Sequence, residues 1–215
     1  MSSDNTAEAI REQYRRAANV LRNGGVVALP TDTVFGLCAV ASDASAVERV
    51  YEIKARDPSQ PMPLFVASTE QAGLIADMPE TARLLAAKFW PGALTLVLRK
   101  KTSFQTRAAA SGDTVGVRMP DDPFLLEAAA QLGPLTGTSA NIAGREECHT
   151  AAEVRAQLGD AIDLVVDGPV TATGRPSTIV DCTDDRQPPI LRILREGALS
   201  REAIADPLAG SARLI

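Results

Sequence analysis

A single histidine, His149, excludes zincin and histidine-triad chemistry, both of which need more than one imidazole. The three cysteines, Cys38, Cys148 and Cys182, are odd in number, widely spaced and without a CxxC pair. That pattern disfavours a disulfide scaffold or a thiolate zinc site, so they read as buried thiols. A Cys148–His149 dyad is equally disfavoured, because neighbours on an extended chain point apart and the preceding Arg145-Glu146-Glu147 reads as an exposed loop. Aromatic residues make up only 4% of the chain, little for a module that stacks bases. A net charge of −5 argues against broad phosphate neutralisation on a nucleic acid. There is no apolar run of about 18 residues and the first twenty residues are polar and charged, so no membrane span or secretory signal is expected and a cytoplasmic location is. GxxxxGK[ST], GxGxxG and GxSxG are all missing, which makes the familiar nucleotide folds and the hydrolase elbow poor matches.

What is present fits an ordinary globular core: 45% hydrophobic residues over 215 positions suit one domain spanning 1–215, with its core at about 7–200 and a short helical tail at 200–215. Ile10, Tyr14, Ala17, Ala18 and Leu21 form one helical stripe over 6–23, stopped by Gly24-Gly25. Val26 to Leu29 predicts a buried strand that feeds a loop at Pro30. A helix follows from Asp43 or Ser45, with Ser45 and Glu48 at capping-box spacing, and three prolines at 58, 61 and 63 then force an extended path. Further strands are predicted at 64–67, 94–98, 114–118, 164–166, 177–180 and 190–194, and helices at 69–76, 79–89, 123–132, 150–158 and 200–207. Strands interleaved with helices predict a layered α/β domain on a mixed sheet.

Polar residues at strand ends and loops carry the chemistry. If Lys54-Ala55-Arg56 leaves its helix extended, two cations project to one side and suit a polyphosphate; taken alone, the pair reads first as a solvated helix end. On 114–118, Val115 and Val117 face one way while Thr114, Gly116 and Arg118 face the other, so Arg118 either clamps a carboxylate or makes a surface salt bridge. Gly137-Thr138-Ser139-Ala140-Asn141 and Gly174 to Thr178 are hydroxyl-rich turns that either present N–H and O–H groups to anions or satisfy their own backbone. Arg195 is equally a third cation for the site or a solvated one.

Together and in order, Pro30-Thr31-Asp32-Thr33-Val34-Phe35-Gly36-Leu37, Lys54-Ala55-Arg56, Trp90 to Thr95, Val117-Arg118-Met119-Pro120, Ser139-Ala140-Asn141 and Ser177 to Val180 closely resemble the YrdC-like threonylcarbamoyl-AMP synthase family over about residues 20–200. The resemblance implies a YrdC-like twisted mixed β-sheet with flanking helices, in the short form without an extra C-terminal domain. It implies an enzyme that condenses L-threonine, bicarbonate and ATP into threonylcarbamoyl adenylate and pyrophosphate, for modification of adenosine 37 in tRNA. By motif position it assigns Thr33, Arg118, Gly137 and Ser177 to threonine. Lys54, Arg56, Gln60, Thr114, Ser139, Asn141 and Arg195 go to ATP, with Lys54 and Arg56 as the catalytic cations. Mg2+ is expected with the ATP, and no protein-held metal.

Downstream threonylcarbamoyl-transfer proteins are the implied partners, with weak or no direct nucleic-acid contact and no membrane. Against the family pattern, Phe35 stands where Tyr is common, Asp57 where Pro is usual after Lys-x-Arg, and Ala93 replaces the second proline of a Pro-Gly-Pro turn. Phe65 falls where some members carry His, and Glu146-Glu147 replaces small residues after Ser-Ala-Asn. The competing reading is a paralogue of the same fold that binds nucleotide or RNA without threonine-dependent synthesis.

Overall fold

The computed structural model describes residues 3–168 and 174–215. The chain opens with helix α1 (Ser3–Arg22), which is followed by strands β1 (Val27–Leu29) and β2 (Gly36–Cys38) and helix α2 (Ala44–Ile53). Next come β3 (Leu64–Phe65), α3 (Thr69–Ile75), α4 (Glu80–Phe89), β4 (Leu94–Arg99) and β5 (Thr114–Arg118). The second half contains α5 (Pro123–Leu132), β6 (Leu135–Thr136), β7 (Thr138–Ser139), α6 (Ala151–Leu158) and β8 (Leu164–Val165). It ends with β9 (Thr178–Asp181), β10 (Ile190–Arg195), α7 (Arg201–Ala205) and β11 (Arg213–Leu214).

Short side-chain caps set the helix starts. Asp43 accepts the Ala46 N–H at 3.0 Å, Ser68 the Gln71 N–H at 3.1 Å and Asp122 the Leu125 N–H at 2.8 Å. Thr150 and Glu153 form a reciprocal capping box on α6. The cap of α2 is therefore Asp43, and the expected Ser45–Glu48 box does not form because Ser45 already lies within the first turn. No helix among the described residues is long and apolar enough to cross a membrane.

The mixed α/β arrangement follows the sequence reading, but the strands divide between two sheets. One is four-stranded in the order β7-β2-β1-β8, and the other seven-stranded in the order β11-β10-β9-β4-β5-β3-β6. Both mix parallel and antiparallel pairs. One stretch joins them: β6 pairs antiparallel with β3 in the larger sheet, and two residues later β7 pairs antiparallel with β2 in the smaller. Gly137 lies between, and a Cβ there would sit 2.6 Å from the Phe65 ring, so only glycine lets the chain cross at that point. The cleft described below opens at this junction.

The centre of the larger sheet is β4, paired with β5 on one side and β9 on the other. Leu94, Leu96 and Leu98 are fully buried there, in a core shared with Leu64, Val117 and Val180. Leu96→Ala should therefore lower the unfolding free energy by about 2–5 kcal/mol, through lost burial plus the cavity left behind. In urea titrations this appears as a lower midpoint with an unchanged slope.

Candidate active site

A cleft of about 280 Å³ is lined by residues of both sheets and of the loops at their junction. Thr33, Arg56, Thr114, Arg118, Gly137, Ser139, Ser177 and Arg195, eight of the residues expected at the site, all line it. The alternation read on β5 holds: Val115 and Val117 are buried in the core, while Thr114, Gly116 and Arg118 face the cleft.

Arg118 is the deepest cation of the cleft lining, only 4% exposed. Its Nε donates to the Gly92 carbonyl at 2.9 Å, its Nη1 to Thr33 Oγ1 at 2.9 Å, and its Nη2 to Asp32. Its guanidinium carbon lies 5.6 Å from the centre of the Phe65 ring. Gly92 and Thr33 are themselves fixed. Gly92 is held where its N–H meets the Met119 carbonyl at 2.8 Å, and the Trp90 indole donates to the Leu94 carbonyl at 2.8 Å to close that turn. Thr31 Oγ1 bonds Thr33 Oγ1 at 3.1 Å and the Val34 carbonyl at 2.7 Å, which folds the loop between β1 and β2 inward. A guanidinium has five N–H donors, so these three bonds leave two for a ligand. The pairing with Asp32, buried rather than at the surface, is a contact that sequence spacing gives no way to read across 86 positions.

Ser177 Oγ bonds Thr95 Oγ1 at 2.8 Å, and the Ser177 carbonyl accepts from Arg195 Nη2 at 2.9 Å and Nε at 3.2 Å. Arg195 is exposed at the cleft, and among the described residues its Nη1 donors have no acceptor. Arg56, half-buried, spends Nη2 on the Pro61 carbonyl at 2.9 Å and Nε on the Gln60 carbonyl at 3.3 Å, and also retains Nη1. Gln60 contributes a backbone carbonyl that orients Arg56, while its exposed side chain is not part of the cleft lining.

Lys54 does not join Arg56 in a clamp. It caps α2 in a helical conformation and Ala55 adopts φ +47, so the segment is not extended and the two side chains diverge. Lys54 is 2% exposed, and its Nζ donates to the carbonyls of Ser139 and Asn141, the latter at 2.7 Å, and to Asn141 Oδ1 at 3.3 Å. All three ammonium donors are thus committed to the loop after β7. Asn141 in turn accepts from the Ser139 hydroxyl and donates to the Arg145 carbonyl at 2.7 Å. Asn141 is buried and, like Lys54, lies behind the cleft wall rather than in it. Burial, with a smaller contribution from the Arg56 cation, lowers the Lys54 pKa to about 8. Cys148 is buried, as read for all three cysteines, although Arg145 and Glu146 before it are exposed, and burial raises its thiol pKa.

Asp32, Phe65, Thr95 and Glu147 are site residues that residue-by-residue reading passed over. Asp32 and Thr95 fall inside the motifs quoted above, and Phe65 and Glu147 were visible as departures from the family pattern. Among the described residues no group of three or more His, Cys, Asp or Glu side chains is arranged to hold a metal ion.

Three arginines of graded depth, set among hydroxyls and glycines where two mixed sheets meet, define an α/β protein with a cationic cleft. The Sua5/YciO/YrdC family model, described as "Telomere recombination", matches residues 19–197, and the chain belongs to this family. It is 40% identical over 195 residues to a threonylcarbamoyl-AMP synthase of Bacillus subtilis, covering 89% of this chain and 55% of that one. It is 38% identical over 193 residues to a putative threonylcarbamoyl-AMP synthase of Mycobacterium tuberculosis, covering 89% and 87%. Among solved structures, Pyrococcus abyssi Sua5 complexed with L-threonine superposes with a TM-score of 0.85 at 38% identity, over 94% of this chain and 58% of that one. Escherichia coli YciO superposes at 0.77 with 25% identity, over 89% and 92%. The chain thus spans little more than half the length of the Bacillus and Pyrococcus proteins.

Lys54→Met removes the ammonium that donates to the Ser139 and Asn141 carbonyls and should cost about 1–3 kcal/mol of stability at neutral pH. The folded-state pKa of Lys54, about 8, lies below its ordinary 10.5, so between those values the unfolded chain holds the extra proton. Stability from this group therefore rises with pH across that window, and the deficit of Lys54→Met widens. Denaturant titrations of both proteins at pH 7.5 and 10 (about those values) check it; a constant difference contradicts the buried ammonium.

Proposed function

We propose that the chain is a threonylcarbamoyl-AMP synthase, joining L-threonine, bicarbonate and ATP with release of pyrophosphate. The observation that carries this reading is the buried Arg118, fixed on three sides and left with two N–H groups beside the Thr33 hydroxyl, in one cleft with Arg56 and Arg195. A planar guanidinium with paired donors suits the threonine carboxylate. Gly137 and Ser177 line the space beside it. The more open Arg56 and Arg195, with Thr114 and Ser139, suit phosphates.

In the proposed reaction the threonine amine and bicarbonate give a carbamate and water. A carbamate oxygen then attacks the α-phosphorus of ATP, a new oxygen–phosphorus bond forms, and the bond to the β-phosphate oxygen breaks to release pyrophosphate. Charge builds on the leaving group, where arginine donors stabilise it most. No step requires a nucleophilic thiol or an imidazole base. Mg2+ accompanies the triphosphate in this proposal, held mainly by phosphate oxygens and water, as it commonly is. Asp32 is already tied to Arg118. The adenylate passes to proteins that transfer the threonylcarbamoyl group to tRNA. The relatives named threonylcarbamoyl-AMP synthase support this reading, as does the Pyrococcus neighbour bound to L-threonine.

The defining test is pyrophosphate release that requires threonine, bicarbonate and Mg-ATP together; release indifferent to threonine contradicts the proposal. Within that assay Arg56→Ala should lower kcat/KM at least tenfold, about 1.4 kcal/mol of transition-state stabilisation. An unchanged kcat/KM removes Arg56 from the chemistry.

A further inference from the structure

One carboxylate in the cleft makes no direct contact with a cation or donor among the described residues. Glu147 lines it together with Arg56, Ser139 and Arg195, is half-buried, and makes no hydrogen bond or ion pair among the described residues. It feels Arg195 and Lys54 only through longer-range attraction. The side chain is not carried on a free loop. The carbonyl just before it, that of Glu146, accepts from Gln157 Nε2 at 2.9 Å, and the carbonyl just after it, that of the buried Cys148, accepts the Phe35 N–H at 3.1 Å. Backbone pinned on both sides aims an acceptor-only group into a cleft otherwise furnished with cations and hydroxyls.

A carboxylate facing a triphosphate repels it, so Glu147 marks a part of the cleft where phosphate does not lie. The donors a nucleotide offers are its ribose hydroxyls and an exocyclic amine on the base. Of these, the vicinal 2′- and 3′-hydroxyls match the two oxygens of one carboxylate, the pairing that dinucleotide folds use on ribose. The ribose also adjoins the α-phosphate, and the cations Arg56 and Arg195 line the same cleft.

Resting on the reading of the cleft as an ATP site, we infer that Glu147 is a specificity-determining residue of this chain that accepts hydrogen bonds from the nucleotide ribose and selects ribonucleotides over 2′-deoxyribonucleotides. A site built to bond a hydroxyl discriminates against the analogue that lacks it, because its own polar group is then left unpaired.

Calorimetric titration of the full chain with Mg-ATP and Mg-2′-deoxyATP, with threonine present and bicarbonate removed so that no turnover occurs, tests the inference. The unsubstituted chain should bind ATP at least about tenfold more tightly than 2′-deoxyATP. Glu147→Ala should bring the ratio to within about threefold by weakening ATP, and Glu147→Gln, which keeps one acceptor, should fall between. Equal affinities in the unsubstituted chain overturn the inference. So does a Glu147→Ala variant that weakens both nucleotides equally, as loss of a magnesium contact does, or one that binds ATP more tightly, as relief of repulsion does. A ribose preference lost in Glu147→Ala but without threonine-dependent pyrophosphate release upholds this inference and overturns the synthase reading alone. Failure to bind ATP at all overturns both.

Discussion

The site depends on one buried guanidinium. Arg118 ends a strand of the seven-stranded sheet, and its partners Asp32 and Thr33 lie on the loop beside the four-stranded sheet, so a single side chain ties the two sheets together across the cleft. Burying a cation is costly unless its anion and its remaining donors are satisfied. Here Asp32 supplies the charge, Thr33 and the Gly92 carbonyl take two more donors, and the Phe65 ring lies close to the guanidinium. The same ring presses on Gly137, the residue at which the chain passes from one sheet to the other. Anchoring the cation and shaping the cleft floor are therefore the same packing problem.

Depth sorts the other cations. Lys54 lies behind the wall, where its ammonium gathers the Ser139 and Asn141 carbonyls and sets the loop after β7. Arg56, two residues on, reaches the cleft because Ala55 turns the chain through a left-handed conformation, which costs about 1–2 kcal/mol for a residue with a Cβ. Adjacent positive charges are thereby given separate tasks: one ammonium ties down backbone, and one guanidinium keeps donors for a ligand. Attraction from Glu147 partly offsets the burial that lowers the pKa of Arg195.

Much of this was legible in the sequence. The sequence placed α4 and α5 within a residue and the periodic stripe placed α1 within three, and the alternation on β5 assigned Thr114 and Arg118 to the chemical face. Six ordered motifs located the cleft residues. What stayed hidden was short or long-range. The strands at 36–38, 135–136, 138–139 and 213–214 have two or three residues each, too few for a period to register, and the first three lie where the fold divides into two sheets. The divergence of Lys54 from Arg56 turns on a single positive φ at an alanine, which composition does not announce. The burial of Cys148 was read correctly, but not its means: its carbonyl accepts the Phe35 N–H, which holds that segment beside β2.

In the proposed reaction one cleft holds an amino-acid carboxylate on the deep arginine and a triphosphate on the two open ones. A crystal structure of the chain with L-threonine and a non-hydrolysable ATP analogue tests it most directly. The account predicts the threonine carboxylate on the two uncommitted N–H groups of Arg118 and phosphate oxygens on Arg56 and Arg195. Threonine or phosphate bound elsewhere, with Arg118 still facing an empty cleft, would contradict it.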